Sequence, residues 1–444
     1  MSGGLNIIEM TAAVLLLAPV GVVCVQCLAL LLPARWDRKI ETPRPDSARE
    51  PLVVLIPAHD EETCLGETLR SVQSQLRFGD RILVVADNCA DRTAEVARDA
   101  GAEVIKRIDS LRRGKGHALS FGVEHLRKSE RAPRVTIVID ADCTAEPGAI
   151  EALAARTLAI GRPVQAIYLL DQPPGAGTSQ SLLSGMAFLV RNGVRPGGAN
   201  RLGLPCLLTG SGMAFPWEVL SKAKLDSGNL VEDMQLGIDL AIAGWPACLC
   251  EEARIVGRLP TGTKAALTQR RRWEHGHLLT AISQVPRLAW TGFRQGRLAP
   301  LAMAMDLCVP PLSLLTLLIF AAILASAAAA VFAGASWGPT EVLVCGAALL
   351  FLSLTIGCAK FGRASLPAAA LLALPMYLLW KLPIYLGFIS HRQIAWIRTP
   401  RSPIAGKNAA ESAATAKVNA AETVDGLLAP ALPIAHLKVR QRCE

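Results

Sequence analysis

Residues Thr11 to Leu32 carry no charged side chain. A run of this length needs only about 20 apolar residues to cross a bilayer as a helix. A second apolar block fills about 299–390, and the sequence between the two blocks has an ordinary globular composition. A chain written this way folds as a water-facing body held to a membrane from both ends. A cleaved signal peptide is the alternative for the first block, but it would carry basic residues ahead of the apolar core. Here no Lys or Arg precedes Arg35, and Arg35, Arg38, Lys39 and Arg44 follow the span. Positive residues stay on the cytoplasmic side, so the expected arrangement is an uncleaved anchor over 1–34, a basic linker over 35–50 and a cytoplasmic domain over 51–290.

The C-terminal membrane region is expected over 298–390. One span falls within Met303 to Ala333 and a second within Val342 to Cys358, joined by an outer loop at Ser336 to Glu341, with Lys360 and Arg363 marking the return inside. The third apolar segment, Leu366 to Ile389, is interrupted by Pro367, Pro375, Lys381 and Pro383. It either spans, lies in the interface or re-enters, and the basic residues after it favour an interfacial or re-entrant element. The segment 402–444, rich in Ala, Ser, Thr, Asn and Glu, reads as disordered. The formal charge of +9 gathers largely beside the apolar segments, where it suits an anionic leaflet. With few aromatics and no stacking stripe, the chain is not expected to bind nucleic acid. The 12 cysteines are scattered, and Cys24 and Cys27 lie inside the first apolar block. They read as reduced packing residues and not as a metal site.

In the central body, short apolar runs alternate with helical stretches. Leu52 to Pro57, Arg81 to Ala86, Glu103 to Lys106 and Val135 to Ile139 read as strands, separated by helices at Glu67 to Gln75, Thr93 to Ala100 and Gly116 to Leu126. This alternation predicts an α/β fold with a mostly parallel sheet covered by helices on both faces. Ligands of such sheets sit beyond the carboxyl ends of the strands. Acidic residues recur there: Asp60 and Glu61, then Asp87, then Asp140 and Asp142.

Each motif has a bland and a chemical reading. Asp140 and Asp142, two apart in extended chain, face one side; they are a solvated turn or a seat for Mg2+ or Mn2+ shared with phosphate oxygens. Asp87, followed by Asn88 and Asp91, is a capped turn or a hydrogen-bond partner of a nucleotide base. Arg112 to Gly116 is a basic loop or a phosphate grip built around Lys115, without Walker spacing. Glu232 and Asp233 open a helix that Gly244 ends; they answer the helix dipole, or Asp233 is a general base. Gln269 to Trp273 is a basic face beside the membrane, or a set in which Arg272 holds a diphosphate and Trp273 stacks on a sugar. His275 and His277 read as polar-face residues.

Taken in order, Val54 to Glu62, Val84 to Asn88, Gly114 to Gly116, Asp140 to Asp142, Glu232-Asp233 and Gln269-x-x-Arg272-Trp273 resemble the family-2 glycosyltransferases of the GT-A fold. The similarity is to the membrane-embedded branch that includes cellulose, hyaluronan and chitin-oligosaccharide synthases. It covers roughly 50–290. It implies inversion at the anomeric carbon, with Asp233 deprotonating the acceptor beside Glu232. It implies Asp60, Glu61, Asp87, Lys115 and Asp140 around the donor nucleotide, a divalent cation on Asp142 and Asp140, and Gln269, Arg272 and Trp273 on the acceptor and diphosphate side. Leu208 to Met213 looks like the loop closing over donor or acceptor. Implied partners are a nucleotide sugar, UDP-linked by preference, a glycan or lipid-linked acceptor, and the bilayer of the cell membrane. Val231 stands where many of these relatives have Thr, and the C-terminal membrane region is shorter than in the large polymer synthases. A single-sugar transferase making a glycolipid, a non-catalytic nucleotide-sugar-binding scaffold and a donor hydrolase are the competing readings.

Overall fold

The computed structural model describes residues 2–33, 50–171, 179–226, 231–258, 263–361 and 372–390. The expected basic linker (but for Glu50), the return at Arg363 and the tail over 402–444 lie outside these residues.

Helix α1 (Ser2–Ala29) precedes the central body. There β1 (Leu52–Ala58), α2 (Leu65–Gln73), β2 (Arg81–Asp87), α3 (Thr93–Asp99), β3 (Glu103–Arg107), α4 (Lys115–Arg127) and β4 (Val135–Val138) alternate as the periodicity predicts. Then come β5 (Cys143–Ala145), α5 (Ala149–Ile160), β6 (Val164–Asp171), α6 (Ser179–Leu189), a π-turn over Val190–Val194, α7 (Arg195–Arg201), β7 (Met213–Pro216), α8 (Trp217–Leu220), α9 (Glu232–Ile242) and β8 (Cys248–Arg258). The eight strands form one sheet in the order β3-β2-β1-β4-β7-β6-β8-β5. Strands β3, β2, β1 and β4 run parallel, with Leu55 opposite both Leu83 and Val138. Antiparallel pairings enter at β7, which returns between β4 and β6, and at the β5–β8 edge.

Strand β1 is buried along its whole length, which is why it reads as an unbroken apolar run: helices cover both faces. Successive side chains then feed two cores. Val53 and Leu55 join Leu83, Val85 and Phe215 with Leu119 and Val123 of α4. Val54 and Ile56 join Leu65 and Leu69 of α2 with Ile150 and Leu153 of α5. Burying each such side chain contributes roughly 1.5–3 kcal/mol.

The first core continues into the apolar helices, taking in Val20, Val23, Cys24, Cys27 and Leu30 of α1. After the long α10 (Thr263–Gln295) come α11 (Leu298–Cys308), α12 (Leu312–Ala333), α13 (Gly338–Lys360) and α14 (Leu374–Ser390). Among the described residues, three helices are long and apolar enough to cross a membrane: α1, α12 and α13. The apolar stretch from Met303 is divided at Pro310-Pro311, because proline removes a helical donor and restrains its predecessor. The span expected there therefore begins at Leu312. Helix α14 is shorter, at 17 residues.

A buried polar knot ties α1 to the body. Gln26 donates to Asp306 of α11 at 2.7 Å and accepts from Arg195 of α7 at 2.7 Å, while Arg195 also reaches the Asp306 carboxylate at 2.7 Å. Beside it a Cβ on Gly198 would fall 1.6 Å from the Gln26 carbonyl oxygen, so the two backbones meet directly.

Candidate active site

The carboxyl end of the parallel strands carries two linked groups of side chains. The first is built on the loops after β1 and β2. Asp60 and Asn88 both take positive φ, 53° and 51°. The Asp60 carboxylate accepts from the amides of Ala90 at 2.6 Å and Asp91 at 3.4 Å. Asp91 in turn accepts from the Thr93 amide at 2.9 Å, at the first residue of α3. The Glu61 amide donates to the Thr93 hydroxyl at 2.7 Å, and the residue is half-buried at the same rim. Asp87 is buried and receives Arg107 at 2.7 Å and the Asn88 amide group at 3.0 Å. Arg107 continues to the Arg112 carbonyl at 2.8 Å, three residues before Lys115.

Lys115 opens the second group. Gly114, at φ +131°, turns the chain into α4 and sets Lys115 in its first turn. The ammonium is ion-paired with Asp140 and donates to the Gly210 carbonyl at 2.7 Å. Gly210 is the pivot: at φ +95°, a Cβ there would stand 3.1 Å from Asp233 Oδ2, 3.5 Å from Lys115 Nζ and 3.8 Å from Asp140 Oδ2. Three separate chain segments thus converge on one backbone position of the Leu208 to Met213 loop. Gln165 of β6 holds that loop, accepting from the Thr209 amide at 2.9 Å and donating to the Ser211 carbonyl at 2.8 Å. The Ser211 hydroxyl accepts from the Asp140 amide at 3.1 Å. A cavity of about 140 Å³ opens beside this cluster, lined among others by Lys115, Asp226, Glu232, Asp233, Gln235 and Asp239.

The electrostatics follow from crowding. Burial alone would push the Lys115 ammonium down, but Asp140, then Glu232 and Asp233, carry it above the ordinary lysine value. The Asp140 carboxyl is raised, first by burial, then against Lys115 by the negative fields of Asp142 and Asp233. Glu232 is pushed up to about 7 by burial and by the charge of Asp233.

Asp142 lies on the other flank. One atom each of Asp140, Asp142 and Cys143 comes within 4.8 Å of the others. The two carboxylates suit a hard divalent cation. The Cys143 thiol, pushed well above its usual value by burial and by Asp142, stays protonated and is a poor partner for such an ion. Cys143 Sγ donates to Tyr168 at 3.7 Å, and Tyr168 stands edge-on to Phe188 at 5.3 Å. Phe188 meets Trp273 at 5.7 Å, so a relay of side chains runs from Cys143 to Trp273 of the Gln269 to Trp273 string.

Within that string Gln269 is buried, and the buried Arg272 Nε has no hydrogen-bond partner among the described residues. His275 and His277 are not on a polar face. They are buried and meet the carbonyls of Ile384 at 2.8 Å and Val309 at 3.0 Å, because α10 is packed between the body and the C-terminal helices.

Sequence reasoning missed Arg107, Gln165 and Arg191. Gln165 is a lone amide in an apolar strand, which was its available signal. Arg191 sits in the π-turn, a feature frequent at functional sites. It lies 3.5 Å from His277 Nδ1; burial lowers its pKa and Asp233 opposes that shift. No spacing in the sequence points to Arg107 or Arg191.

The family described as Glycosyltransferase like family 2 matches residues 49–276. An uncharacterized protein of Methanocaldococcus jannaschii is 33% identical over 103 residues, 23% of this chain and 40% of that protein. The 4,4'-diaponeurosporenoate glycosyltransferase of Staphylococcus aureus is 34% identical over 121 residues, 27% of this chain and 30% of that protein. The chain thus matches less than half the length of either relative. Among solved structures, a mannosyltransferase from Pyrobaculum calidifontis in complex with GDP-Man and Mn2+ aligns with a TM-score of 0.47 at 18% identity, over 82% of this chain and 98% of that one.

Proposed function

This chain belongs to glycosyltransferase-like family 2, and on that premise we propose a membrane-bound, inverting glycosyltransferase that moves a sugar from a nucleotide-sugar donor to a hydroxyl of a glycan or lipid-linked acceptor. Its role is in exopolysaccharide or other cell-surface glycan synthesis, with residues 51–290 catalytic and facing the cytoplasm. The observation that carries this reading is the meeting of Lys115, Asp140 and Asp233 around Gly210.

In the proposed reaction Asp233 accepts the proton of the acceptor hydroxyl. The freed oxygen attacks the anomeric carbon from the face opposite the nucleotide. The new carbon–oxygen bond forms as the bond to the diphosphate breaks, and the electron pair leaves with the nucleoside diphosphate. Lys115, held charged by its acidic neighbours, and the unpartnered Arg272 Nε meet that negative charge in a partly water-excluded site. Asp142 and Asp140 would hold a divalent cation, which when bound offsets charge on the diphosphate. Glu232, titrating near neutrality, sets the field around Asp233. Trp273, backed by Phe188, offers a ring face to a sugar. Asp60, Glu61 and Asp87 frame the nucleotide end, and Gln269 stands with Arg272 on the acceptor side.

The test is a screen of labelled UDP- and GDP-sugars with membranes containing the full chain, followed by sizing and linkage analysis of the product. A ladder on one acceptor supports repeated transfer, whereas one added sugar supports the glycolipid reading. Nucleotide release with no sugar reaching any acceptor defeats the proposal.

A further inference from the structure

Gln269, Arg272 and Trp273 are spaced i, i+3 and i+4, so they share one face of α10. The intervening Arg270 and Arg271, with Glu274 and His275 one turn on, form another face, and α14 is docked against it. Arg270 lies over the Trp380 ring at 5.6 Å. Arg271 Nη2 lies 3.6 Å from where a Cβ on Gly387 would stand. His275 meets the Ile384 carbonyl at 2.8 Å. At the centre Lys381 is ion-paired with Glu274, both side chains being under 10% exposed at 5% and 8%. Helix α14 is also tied to α6 through Tyr377 and Ser184, at 3.4 Å, and to α12 through Tyr385 and Ser313, at 2.5 Å.

A lysine in the middle of an apolar helix is costly to place. A buried ion pair is a weak source of stability, because apolar residues of similar volume often serve as well or better. What such a pair supplies is register: it is satisfied in one rotation and one axial position of α14 against α10. A one-residue slip of α10 turns it by about 100°, and would carry Trp273 off Phe188, which it meets at 5.7 Å, and Arg272 with it. We propose that the Glu274–Lys381 pair is a positioning latch by which the apolar helix α14 sets the rotation of α10, and so the placement of Arg272 and Trp273. Neither member of the pair touches substrate. The latch rests on the proposed role of Arg272 and Trp273 at the reacting site.

The test uses the full chain in lipid nanodiscs. The double variant Glu274→Gln/Lys381→Met removes both charges and leaves neither orphaned. Lys381→Arg keeps the charge and the bond. Binding of the nucleoside monophosphate, which has no diphosphate for Arg272 to hold, is titrated beside transfer kinetics. The expected result is a double variant that binds the monophosphate as wild type does but whose kcat/KM falls about 10²-fold, the loss typical of a misplacement near 1 Å. Lys381→Arg retains wild-type transfer. A folded double variant with wild-type kcat/KM overturns the latch, and so does one that loses monophosphate binding in parallel with rate, since that marks a general structural role. Wild-type protein that transfers no sugar to any acceptor defeats the proposed function instead; an active wild type beside an equally active double variant defeats the latch alone.

Discussion

Gly210→Ala tests the centre of the site with a single methyl group. The added Cβ would stand 3.1 Å from Asp233 Oδ2 and 3.5 Å from Lys115 Nζ, at a backbone φ of +95°. Two effects follow and can be separated. An L side chain at such a φ costs about 1–3 kcal/mol of strain. The carboxylate must also give way by a few tenths of an ångström. If a full 1 Å error costs about 10²-fold in rate, a shift of this size is expected to lower kcat about 10-fold, or about 1.4 kcal/mol in the barrier. Gly148→Ala is the control: φ is +85° and nothing lies within 4 Å of its added Cβ. It carries the strain without the crowding. The assay is initial-rate transfer from a labelled sugar nucleotide, normalised to folded protein, with melting measured in parallel. Both variants should lose stability, and Gly210→Ala alone should lose kcat. Wild-type kcat in Gly210→Ala, or an equal loss in Gly148→Ala, refutes the placement of Asp233 at the reacting centre.

Further outcomes follow from the same geometry. Asp233→Asn should cut turnover by roughly 10²–10⁴ while donor binding stays largely intact, read by rates beside nucleotide titration. Asp142→Asn should raise the Mn2+ or Mg2+ concentration needed for half-maximal transfer, and a chelator should abolish transfer in wild type until the ion is restored. Arg107→Met strands the buried Asp87 carboxylate and should destabilise the body by about 3–5 kcal/mol, seen as a lower denaturant midpoint. Glu232 has a folded value of about 7 against an ordinary 4.5, so its protonated form favours the fold and that contribution disappears as pH climbs through this window. Glu232→Gln should therefore gain about 1–3 kcal/mol on wild type at pH 8 and nothing at pH 4, measured in metal-free buffer.

The sheet was legible because helices cover its centre on both faces: β1, β2 and β4 had to be written as short apolar runs, and their ends could be counted. Asp60, Asp87, Asp140 and Asp142 were legible for the same reason, since each lies at the end of such a run, whereas Glu232 and Asp233 were legible as the start of a helix. Residues that act through tertiary contact left no such mark. Arg107 sits on β3 among residues of mixed character and is defined by Asp87, 20 residues away. Arg191 depends on a π-turn, which has no periodicity of its own to read. His275 and His277 looked polar and exposed because a helix face is judged against water; here the opposing surface is α14 and α11, which close only in the folded molecule. Lys381 appeared as an interruption of an apolar segment, and its reason is Glu274, 107 residues earlier.

The knot of Gln26, Arg195 and Asp306, with the Gly198 backbone against α1, bears on how the protein can be prepared. Helix α1, long and apolar enough to cross a membrane, is also a wall of the folded body. Trimming it to gain a water-soluble fragment would strip Arg195 of one partner and lay bare the greasy flank that Val23 and Cys27 now occupy. Detergent or nanodisc, with the first helix left on, is the form in which this molecule should be handled.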